Sequence, residues 1–399
     1  MGVNLSWHIR RFIKYVVGVI PKNKNLLLFS AWFGQKYADS TMYQFEYMLN
    51  NTTYNVYWFT KNKDLFKQLK GKNIPVVYSK SLKGIWLQSR AIMLLSTVQT
   101  CDFNQYLLNK CIFLDLDHGF PGKPVGLSQP TVNDGWRKWY NFFLKGLDFY
   151  QTASSRFVVD YLSPCYNVQP DHYLFCNKPR IDVLFNADLQ KSCIDDINKI
   201  KANRKALVYL PTHRACGKNA MPMNEILDLK AIQKCCEETN SVFIIKKHFY
   251  HKHEVENLDN YPNIIDITQS QIDTQILLSQ TDVLVTDFSS CYNDFLALNR
   301  PIIFYAFDYE DYLIHDRDYY WKYDKINAGY TCKSKDEFTN ALMNVSKDFQ
   351  DTLHQSGRLQ MREIYFDHEV EMGTTREKLT SLIGQLIDGT YTPYDWTKK

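Results

Sequence analysis

The amino-acid sequence predicts an α/β protein built from two doubly wound domains that face a central cleft. From residue 23 onward, apolar runs of strand length alternate with helix-like stretches, and this β-α-β-α order is typical of a parallel sheet covered on both faces. The alternation weakens and charged residues accumulate over residues 179–205, after which a second series of strands begins. Ligands of such sheets bind beyond the carboxyl ends of the strands, so functional side chains are expected there.

The first domain, residues 23–178, is predicted from five apolar runs and the helices between them. The predicted strands are "NLLLFS", "NVYWFT", "IPVVYS", "IMLLST" and "CIFLDLDHG", and the predicted helices are "STMYQFEYMLNN", "DLFKQLKGK" and "LKGIWLQSRA". Ser40 begins the first of these helices and is predicted to be its N-cap, because serine is favoured at that position.

The second domain, residues 179–360, repeats the alternation of strands and helices. Its predicted strands lie in "KALVYLPTHR", "SVFIIKKHF", "NIIDIT", "DVLVTDFSS" and "RPIIFY". Residues 361–399 are mostly helical in pattern, and we expect these helices to pack back on the first domain.

The first 22 residues predict a basic amphipathic helix. Its apolar face carries Ile9, Phe12, Ile13, Val16, Val17 and Ile20, and the opposite face carries Arg10, Arg11 and Lys14. Such a helix can lie in a membrane interface, or it can dock on the protein's own core. The pattern by itself favours neither. The function inferred below makes residues 1–22 a membrane-associating helix in our prediction.

Composition excludes several classes of protein. The net charge of +4 over 399 residues is too small for a nucleic-acid binder, which concentrates positive charge on one surface. The ten cysteines include no CxxC pair, so the usual zinc-site spacing is missing. No apolar stretch reaches the roughly 18 to 20 residues of a membrane-spanning helix. A cleavable signal peptide is not expected, because Lys14 interrupts the first apolar run.

The polar stretch "TDFSS" separates a predicted strand from a helix predicted over residues 292–298. It brings Thr286, Asp287, Ser289 and Ser290 to the amino end of that helix, where backbone N–H groups and the helix dipole favour an anion. Serine and aspartate are also ordinary helix caps, but a cap needs only one such residue. The stretch therefore predicts a phosphate or pyrophosphate site.

Two further strands of the second domain end in hydroxyl or cationic side chains. These are Thr212, His213 and Arg214 after one strand, and Lys246, Lys247 and His248 after another. Arginine and lysine are common phosphate partners. If the strands are neighbours in the sheet, these strand ends predict one site for a charged nucleotide ligand.

The first domain has its own signal at a strand end, in "DHGFPGKPVG". His118 follows a predicted strand, and Gly119 and Gly122 allow the backbone to come close to a ligand. A histidine in this position is suited to act as a general base, and the alternative is a histidine that only hydrogen-bonds the loop.

A metal site is not expected. His248, His251 and His253 lie close together in the sequence, but their spacing differs from the zinc-binding HExxH pattern.

Taken together, "DHGFPGKPVG", "LVYLPTHR", "IIKKH" and "DVLVTDFSS…DFLALNRPIIFYAFDYEDY" resemble the CDP-glycerol glycerophosphotransferase family, which includes teichoic-acid primases and polymerases and related capsule enzymes. The resemblance covers roughly residues 100 to 335. It implies a GT-B fold of two Rossmann-like domains, with an N-terminal acceptor-binding domain and a C-terminal domain that binds the CDP-polyol.

The resemblance also implies roles for individual residues. His118 corresponds to the family's proposed catalytic base, and Arg214, His248, Ser289 and Ser290 correspond to positions that contact the pyrophosphate. We therefore predict His118 and His248 as the catalytic residues, with His248 neutralising charge on the leaving CMP. The predicted substrate-binding residues are Gly119, Thr212, Arg214, Lys246, Thr286, Asp287, Ser289 and Ser290.

Three departures from the family pattern are visible. His213 stands where the family has an aromatic residue, and Phe249 stands where it has a proline. The segment "NKPRIDVL" replaces a GxPRND-like linker but keeps Pro179, Arg180 and Asp182.

The resemblance implies transfer of glycerol phosphate from CDP-glycerol to a hydroxyl of a lipid-linked saccharide or polyol-phosphate acceptor, with release of CMP, in teichoic-acid or capsule biosynthesis. The enzyme is expected on the cytoplasmic face of a bacterial membrane, attached peripherally, with no metal or other cofactor and no nucleic-acid partner. We expect no large additional N-terminal region of the kind found in some polymerases, and this expectation favours a primase or short-linker enzyme. The alternatives are CDP-ribitol as donor, an NDP-sugar glycosyltransferase, and a non-catalytic membrane- or metal-binding module.

Overall fold

The computed structural model describes residues 7–120, 122–212, 222–247, 255, 257–315 and 325–397. The chain forms two compact units. The first unit comprises Met1–His118, Gly126–Asp182 and Glu369–Lys399, and the second comprises Gly119–Val125 and Val183–His368. The chain enters the second unit for the short segment Gly119–Val125, enters it again after Asp182, and returns to the first unit at Glu369.

The described part of the first unit contains seven parallel strands. They are β1 (Asn23–Phe29), β2 (Asn55–Thr60), β3 (Val76–Tyr78), β4 (Ala91–Ser96), β5 (Cys111–Asp115), β6 (Leu147–Ala153) and β7 (Tyr173–Phe175). They form one sheet in the order β3-β2-β1-β4-β5-β6-β7, so the direction of winding reverses between β1 and β4. The first five strands match the predicted apolar runs, whereas β6 and β7 are absent from the prediction.

Helices cover this sheet. They are α1 (Trp7–Val19), α2 (Asp39–Asn51), α3 (Lys63–Gly71), α4 (Leu82–Arg90), α5 (Asp134–Leu144) and α6 (Arg156–Tyr166). The prediction that Ser40 caps α2 is wrong. The helix begins at Asp39, whose own carboxylate accepts a hydrogen bond from the Ser40 backbone N–H at 2.7 Å. Ser40 itself is buried.

The C-terminal helix α15 (Thr375–Asp388) belongs to the first unit. Leu379 and Ile383 of α15 are fully buried in the same core as Leu27 and Phe29 of β1. Asp182 caps the helix from a distant part of the chain, because its carboxylate accepts hydrogen bonds from the N–H groups of Thr375 and Arg376, both at 3.0 Å.

Helix α1 packs on the rest of the first unit through the side that carries Lys14, whereas a helix docked on its own core is expected to bury its apolar face. Lys14 is only 6% exposed and donates to the carbonyl of Phe143 at 3.0 Å, although the sequence pattern places this lysine on the polar face. Phe12 and Val19 are 67% and 65% exposed, and Ile9, Tyr15 and Val16 are exposed as well. Much of the apolar surface of α1 therefore faces outward. Among the described residues, no helix has the length and hydropathy needed to cross a bilayer.

Among its described residues, the second unit contains six parallel strands. They are β8 (Lys205–Leu210), β9 (Ser241–Ile245), β10 (Ile264–Asp266), β11 (Val283–Thr286), β12 (Ile302–Tyr305) and β13 (Tyr330–Cys332). Their order is β10-β9-β8-β11-β12-β13, which makes the winding reverse between β8 and β11. This is the position at which doubly wound sheets bind their ligands.

The helices of the second unit complete the doubly wound arrangement. They are α7 (Ala187–Lys201), α8 (Met223–Ile226), α9 (Leu229–Glu238), α10 (Thr274–Ser279), α11 (Cys291–Phe295), α12 (Tyr309–His315), α13 (Lys335–Val345) and α14 (Gln355–Tyr365). The helix predicted over residues 292–298 is shorter than expected. It consists of α11 and a single 3₁₀ turn, Leu296–Leu298, which ends where Asn299 adopts a left-handed conformation.

Candidate active site

His118 lies at the carboxyl edge of the first sheet, just beyond β5, and its side chain is 47% exposed. Its Nδ1 atom lies 3.0 Å from Oδ1 of Asp117 and 3.1 Å from the carbonyl oxygen of Thr97. Both of these partners are acceptors, so Nδ1 carries the ring proton in the neutral imidazole. The lone pair is then on Nε2, the nitrogen that a general base uses to take a proton.

Burial of the ring and the neighbouring carboxylate of Asp117 both change the pKa of His118. Partial removal of the ring from water opposes the imidazolium, but the neighbouring Asp117 carboxylate outweighs this and raises the pKa of His118 to about 9. Burial likewise opposes ionisation of Asp117, yet His118 and Lys178 lower the pKa of Asp117 to about 2. The free enzyme therefore holds His118 mainly as the imidazolium at neutral pH, and its basic form becomes abundant in alkaline solution.

The backbone around His118 is braced by the segment that joins the two units. The ammonium of Lys178 is buried and donates to the carbonyl of Leu116 at 2.9 Å. The guanidinium of Arg180 donates to the carbonyl of His118 and lies 3.6 Å from the carboxylate of Asp39. The "KPR" part of the linker motif thus holds the loop that presents His118.

A second loop, after β1, also contacts His118. The ring centroids of Trp32 and His118 lie 5.2 Å apart. Trp32 and Phe33 have φ angles of 50° and 61°, a left-handed conformation that costs a residue with a side chain on the order of 1–3 kcal/mol. Asp117 itself has a φ of 55°. Strained backbone of this kind is concentrated at functional sites.

In the second unit, two of the predicted residues join the ends of β8 and β11. The Asp287 carboxylate accepts a hydrogen bond from the Thr212 backbone N–H at 2.8 Å, and the Thr286 hydroxyl donates to the carbonyl of Leu210 at 2.8 Å. Thr286 and Asp287 are both fully buried. Their side chains hold two strand ends together at the point where the winding reverses, and a direct contact with substrate stays a prediction.

The two serines of "TDFSS" are half-buried at the start of α11. Ser290 occupies the N-cap position but makes no side-chain capping hydrogen bond, and the Ser289 hydroxyl accepts a long bond, 3.4 Å, from the Cys291 N–H. Helix capping therefore accounts poorly for this pair of hydroxyl groups.

Lysines at the end of β9 differ in their surroundings. Lys247 is buried and its ammonium lies 2.7 Å from the carboxylate of Asp266, so it forms a structural ion pair. Lys246 makes only a long contact, 3.5 Å, with the carbonyl of Ser270, and burial lowers its pKa. Lys247 is thus occupied by a structural partner, and a contact of Lys246 with a bound anion stays a prediction.

Aromatic packing at "TDFSS" is a feature that the sequence did not predict. Phe288 stacks on Tyr312 with ring centroids 3.8 Å apart, and Lys123 donates to the Tyr312 hydroxyl. The carbonyl of Phe120 accepts a hydrogen bond from Asn293 at 3.4 Å. Residues 119–125, including the predicted Gly119, thus belong to the second unit although His118 directly precedes them. The only signal in the sequence was the run of glycines and prolines after His118.

Several predicted residues lie outside the described residues. These are His213, Arg214, His248, His251 and His253. Their roles stay predictions. Within the part of the chain that the structure describes, no group of three histidine, cysteine or acidic side chains is placed to hold a metal ion.

Comparison with known proteins places the chain in a family. The profile of the family CDP-Glycerol:Poly(glycerophosphate) glycerophosphotransferase matches residues 12–383. The teichoic acid glycerol-phosphate transferase of Staphylococcus aureus is 26% identical over 344 residues, which cover 82% of this chain and 85% of that protein. The teichoic acid ribitol-phosphate polymerase TarL of the same species is 29% identical over 199 residues, which cover 48% of this chain and 35% of TarL.

The fold is also shared with a solved structure. The wall teichoic acid polymerase TagF, in a structure soaked with CDPG, has a TM-score of 0.77 and 21% sequence identity, and the match covers 95% of this chain and 93% of that one. This likeness confirms the GT-B-like fold, and the family profile confirms the resemblance seen in the four motifs. The chain belongs to the CDP-glycerol:poly(glycerophosphate) glycerophosphotransferase family and is therefore a glycerophosphotransferase enzyme.

Proposed function

We propose that this enzyme transfers glycerol phosphate from CDP-glycerol to a hydroxyl of a lipid-linked acceptor in teichoic-acid or capsule biosynthesis, with release of CMP. The observation that carries the proposal is the imidazole of His118. Its Nδ1 is held by Asp117 and the Thr97 carbonyl, which leaves Nε2 to take a proton from a hydroxyl. Family membership supports glycerol phosphate as the transferred group.

The proposed reaction is a single displacement at phosphorus. Nε2 of His118 removes the proton of the acceptor hydroxyl, and the hydroxyl oxygen attacks the phosphorus that bears glycerol. The bond from that phosphorus to the bridging oxygen breaks, and CMP leaves with the bridging oxygen and its negative charge. Phosphoryl transfer depends mainly on positioning and on stabilising this charge.

We assign the donor diphosphate to the second unit. Ser289 and Ser290 offer hydroxyl groups that helix capping does not explain, and Lys246 offers an amine at the end of β9, which is separated from β11 by β8. Arg214 and His248 complete the set by their family positions. Thr212, Thr286 and Asp287 hold the frame of the site, and Gly119 allows close approach of the backbone.

The proposal also includes a peripheral attachment to the cytoplasmic face of the membrane. The acceptor is expected to carry a lipid, so the enzyme must reach the bilayer surface. Helix α1 offers exposed apolar side chains, including Phe12 at 67% and Val19 at 65%, beside Arg10 and Arg11.

His118→Ala tests the proposed base. A positioned general base contributes typically 10²–10⁴-fold, so turnover should fall by roughly that factor while CDP-glycerol binding is retained. Mass spectrometry of a lipid-like acceptor would measure the glycerol phosphate units added, and isothermal calorimetry would measure donor binding. A fully active variant would rule out His118 as the base.

CDP-ribitol is a second candidate for the donor, because the ribitol-phosphate polymerase TarL is also a relative of this chain. The mass added to the acceptor distinguishes glycerol phosphate from ribitol phosphate directly. Supplying each donor alone and then both together would show which one the enzyme prefers. An NDP-sugar donor would instead add a sugar mass.

A further inference from the structure

We infer that the loop of Trp32 and Phe33 binds a sugar ring of the acceptor beside His118, which makes the acceptor a saccharide rather than an open-chain polyol phosphate. This inference rests on the proposed function, because it takes His118 as the base. The loop follows β1 at the carboxyl edge of the first sheet, next to the strand where the winding reverses. Neither the family motifs nor the sequence patterns assign it a role.

The two aromatic side chains are held at the surface at a conformational cost. Phe33 is 53% exposed and Trp32 is half-buried, and both residues have left-handed backbones. A single exposed aromatic is ordinary. Two adjacent bulky residues with left-handed backbones are unusual, because in that conformation a side chain clashes with its own backbone.

The loop is fixed from three sides. The fully buried carboxylate of Asp102 accepts a hydrogen bond from the Phe33 N–H at 2.5 Å, and the Trp32 N–H donates to the Thr97 hydroxyl at 3.1 Å. The carbonyl of Gly34 accepts from the Thr60 hydroxyl at 2.8 Å. A loop that is anchored this firmly presents its two rings in one fixed position.

The Asp102 carboxylate also positions His118, the proposed base. Asp102 accepts a second hydrogen bond from the Thr97 N–H at 2.8 Å, and the Thr97 carbonyl lies 3.1 Å from Nδ1 of His118. One buried carboxylate therefore sets both the aromatic loop and the imidazole. A hydroxyl within reach of Nε2 belongs to a molecule that also lies against Trp32, whose ring is 5.2 Å from the imidazole.

The chemistry of the loop indicates which molecule this is. A pyranose ring has a face of C–H groups that packs on an aromatic ring, while its hydroxyl groups point outward toward polar partners. A linear polyol phosphate has no such face. The ammonium of Lys36 lies 5.2 Å from the Trp32 ring, which suits an acceptor that carries a negative charge near the sugar.

Two acceptors and two variants test the inference. Dodecyl chains ending in a disaccharide or in glycerol phosphate are offered to the full-length enzyme with CDP-glycerol. For Trp32→Ala we expect KM for the disaccharide acceptor to rise about tenfold, with little change for the glycerol phosphate acceptor or for CDP-glycerol. Trp32→Tyr keeps an aromatic ring and should recover most of the affinity.

A matched control is Trp86→Ala, because Trp86 is 54% exposed on α4 and has no assigned role. It should leave both values of KM unchanged. Equal weakening of both acceptors in Trp32→Ala, or no weakening, would overturn the inference, as would a wild-type enzyme that uses only the glycerol phosphate acceptor. Absence of CMP release with either acceptor would instead overturn the proposed function, and this inference with it.

Discussion

His118 and Asp117 behave as one titrating pair. The carboxylate orients the ring through Nδ1 and also stabilises the imidazolium, which raises the pKa of His118 to about 9. These two effects act in opposite directions on a general base at neutral pH. Orientation favours the reaction, whereas the raised pKa reduces the fraction of enzyme in which Nε2 is free of a proton.

The pair predicts the pH dependence of the reaction. A general base works in its deprotonated form, so kcat/KM should rise with pH until it levels off near the raised pKa, about 9. Asp117→Asn removes the charge that raises the pKa. We expect the rise to move to lower pH, toward the ordinary histidine value of about 6.5, while the maximal rate falls by up to about 10⁴-fold because the ring loses its orientation.

The measurement is kcat/KM from pH 5.5 to 10 for both forms of the enzyme. Asp148→Asn is a suitable control, because Asp148 is a half-exposed carboxylate at the start of β6. It should leave the pH profile in place. If the profile of Asp117→Asn coincides with that of the wild type, His118 is not the group that titrates.

Two helices show how distant residues determine the role of an element. Helix α15 depends on Asp182, which is 193 residues away from Thr375 in the chain. Helix α1 depends on Lys14, whose buried ammonium donates to Phe143 and turns the apolar residues of the helix outward. In both cases a charged side chain is buried and satisfied by a partner from another element.

Asp182→Ala should destabilise the first unit. It leaves the first N–H groups of α15 without their acceptor and leaves Arg376, which lies 3.2 Å from this carboxylate, without its ion-pair partner. Loss of a helix cap costs about 0.5–2 kcal/mol and a buried hydrogen bond about 1–3 kcal/mol, so we expect a loss of roughly 2–4 kcal/mol. Urea denaturation measures it. Asp188→Ala, in the exposed first turn of α7, is the control and should change stability little.

Phe12→Ser combined with Val19→Ser should weaken binding to vesicles. Each of these side chains would bury its apolar surface in the interface, and each loses on the order of 1.5–3 kcal/mol of that stabilisation when it is replaced. Co-sedimentation with anionic vesicles measures the partitioning. Leu82→Ser, at a position that is 87% exposed on α4, controls for a general loss of surface hydrophobicity. Unchanged partitioning would exclude α1 as the attachment site.

At the level of the whole molecule, each unit carries a separate part of the proposed chemistry. The first unit holds the base and the proposed acceptor loop, and the second holds the proposed donor residues at the reversal between β8 and β11. A donor that binds the native state stabilises it by about 2.7 kcal/mol at a concentration 100 times its Kd.

Thermal unfolding should therefore distinguish the donors. We expect CDP-glycerol to raise the Tm by several degrees, and UDP-sugars to have no comparable effect. The shift should persist in EDTA, because a cationic and hydroxyl-lined site is proposed to neutralise the diphosphate. Loss of both the shift and the activity after chelation would show that a metal is required.

The sequence by itself determined the elements and the family. Strands buried on both faces appear as continuous apolar runs, so β1 to β5 and β8 to β12 could be read locally. Strand β6 was missed because its sequence, "LDFYQTA", mixes polar and apolar residues. The motifs were readable because residues of one loop are neighbours in the sequence, as in "TDFSS" and "DHG".

Only the tertiary structure decided which side chains act together. The contacts of Trp32 with Thr97, of Lys178 with Leu116 and of Asp182 with Thr375 join residues that are 65, 62 and 193 positions apart. No local periodicity records such pairs, since they form only when the folded chain brings distant segments together. Asp117 adjoins His118 in the sequence, but the Thr97 carbonyl that also holds Nδ1 lies 21 positions away and could not be identified there.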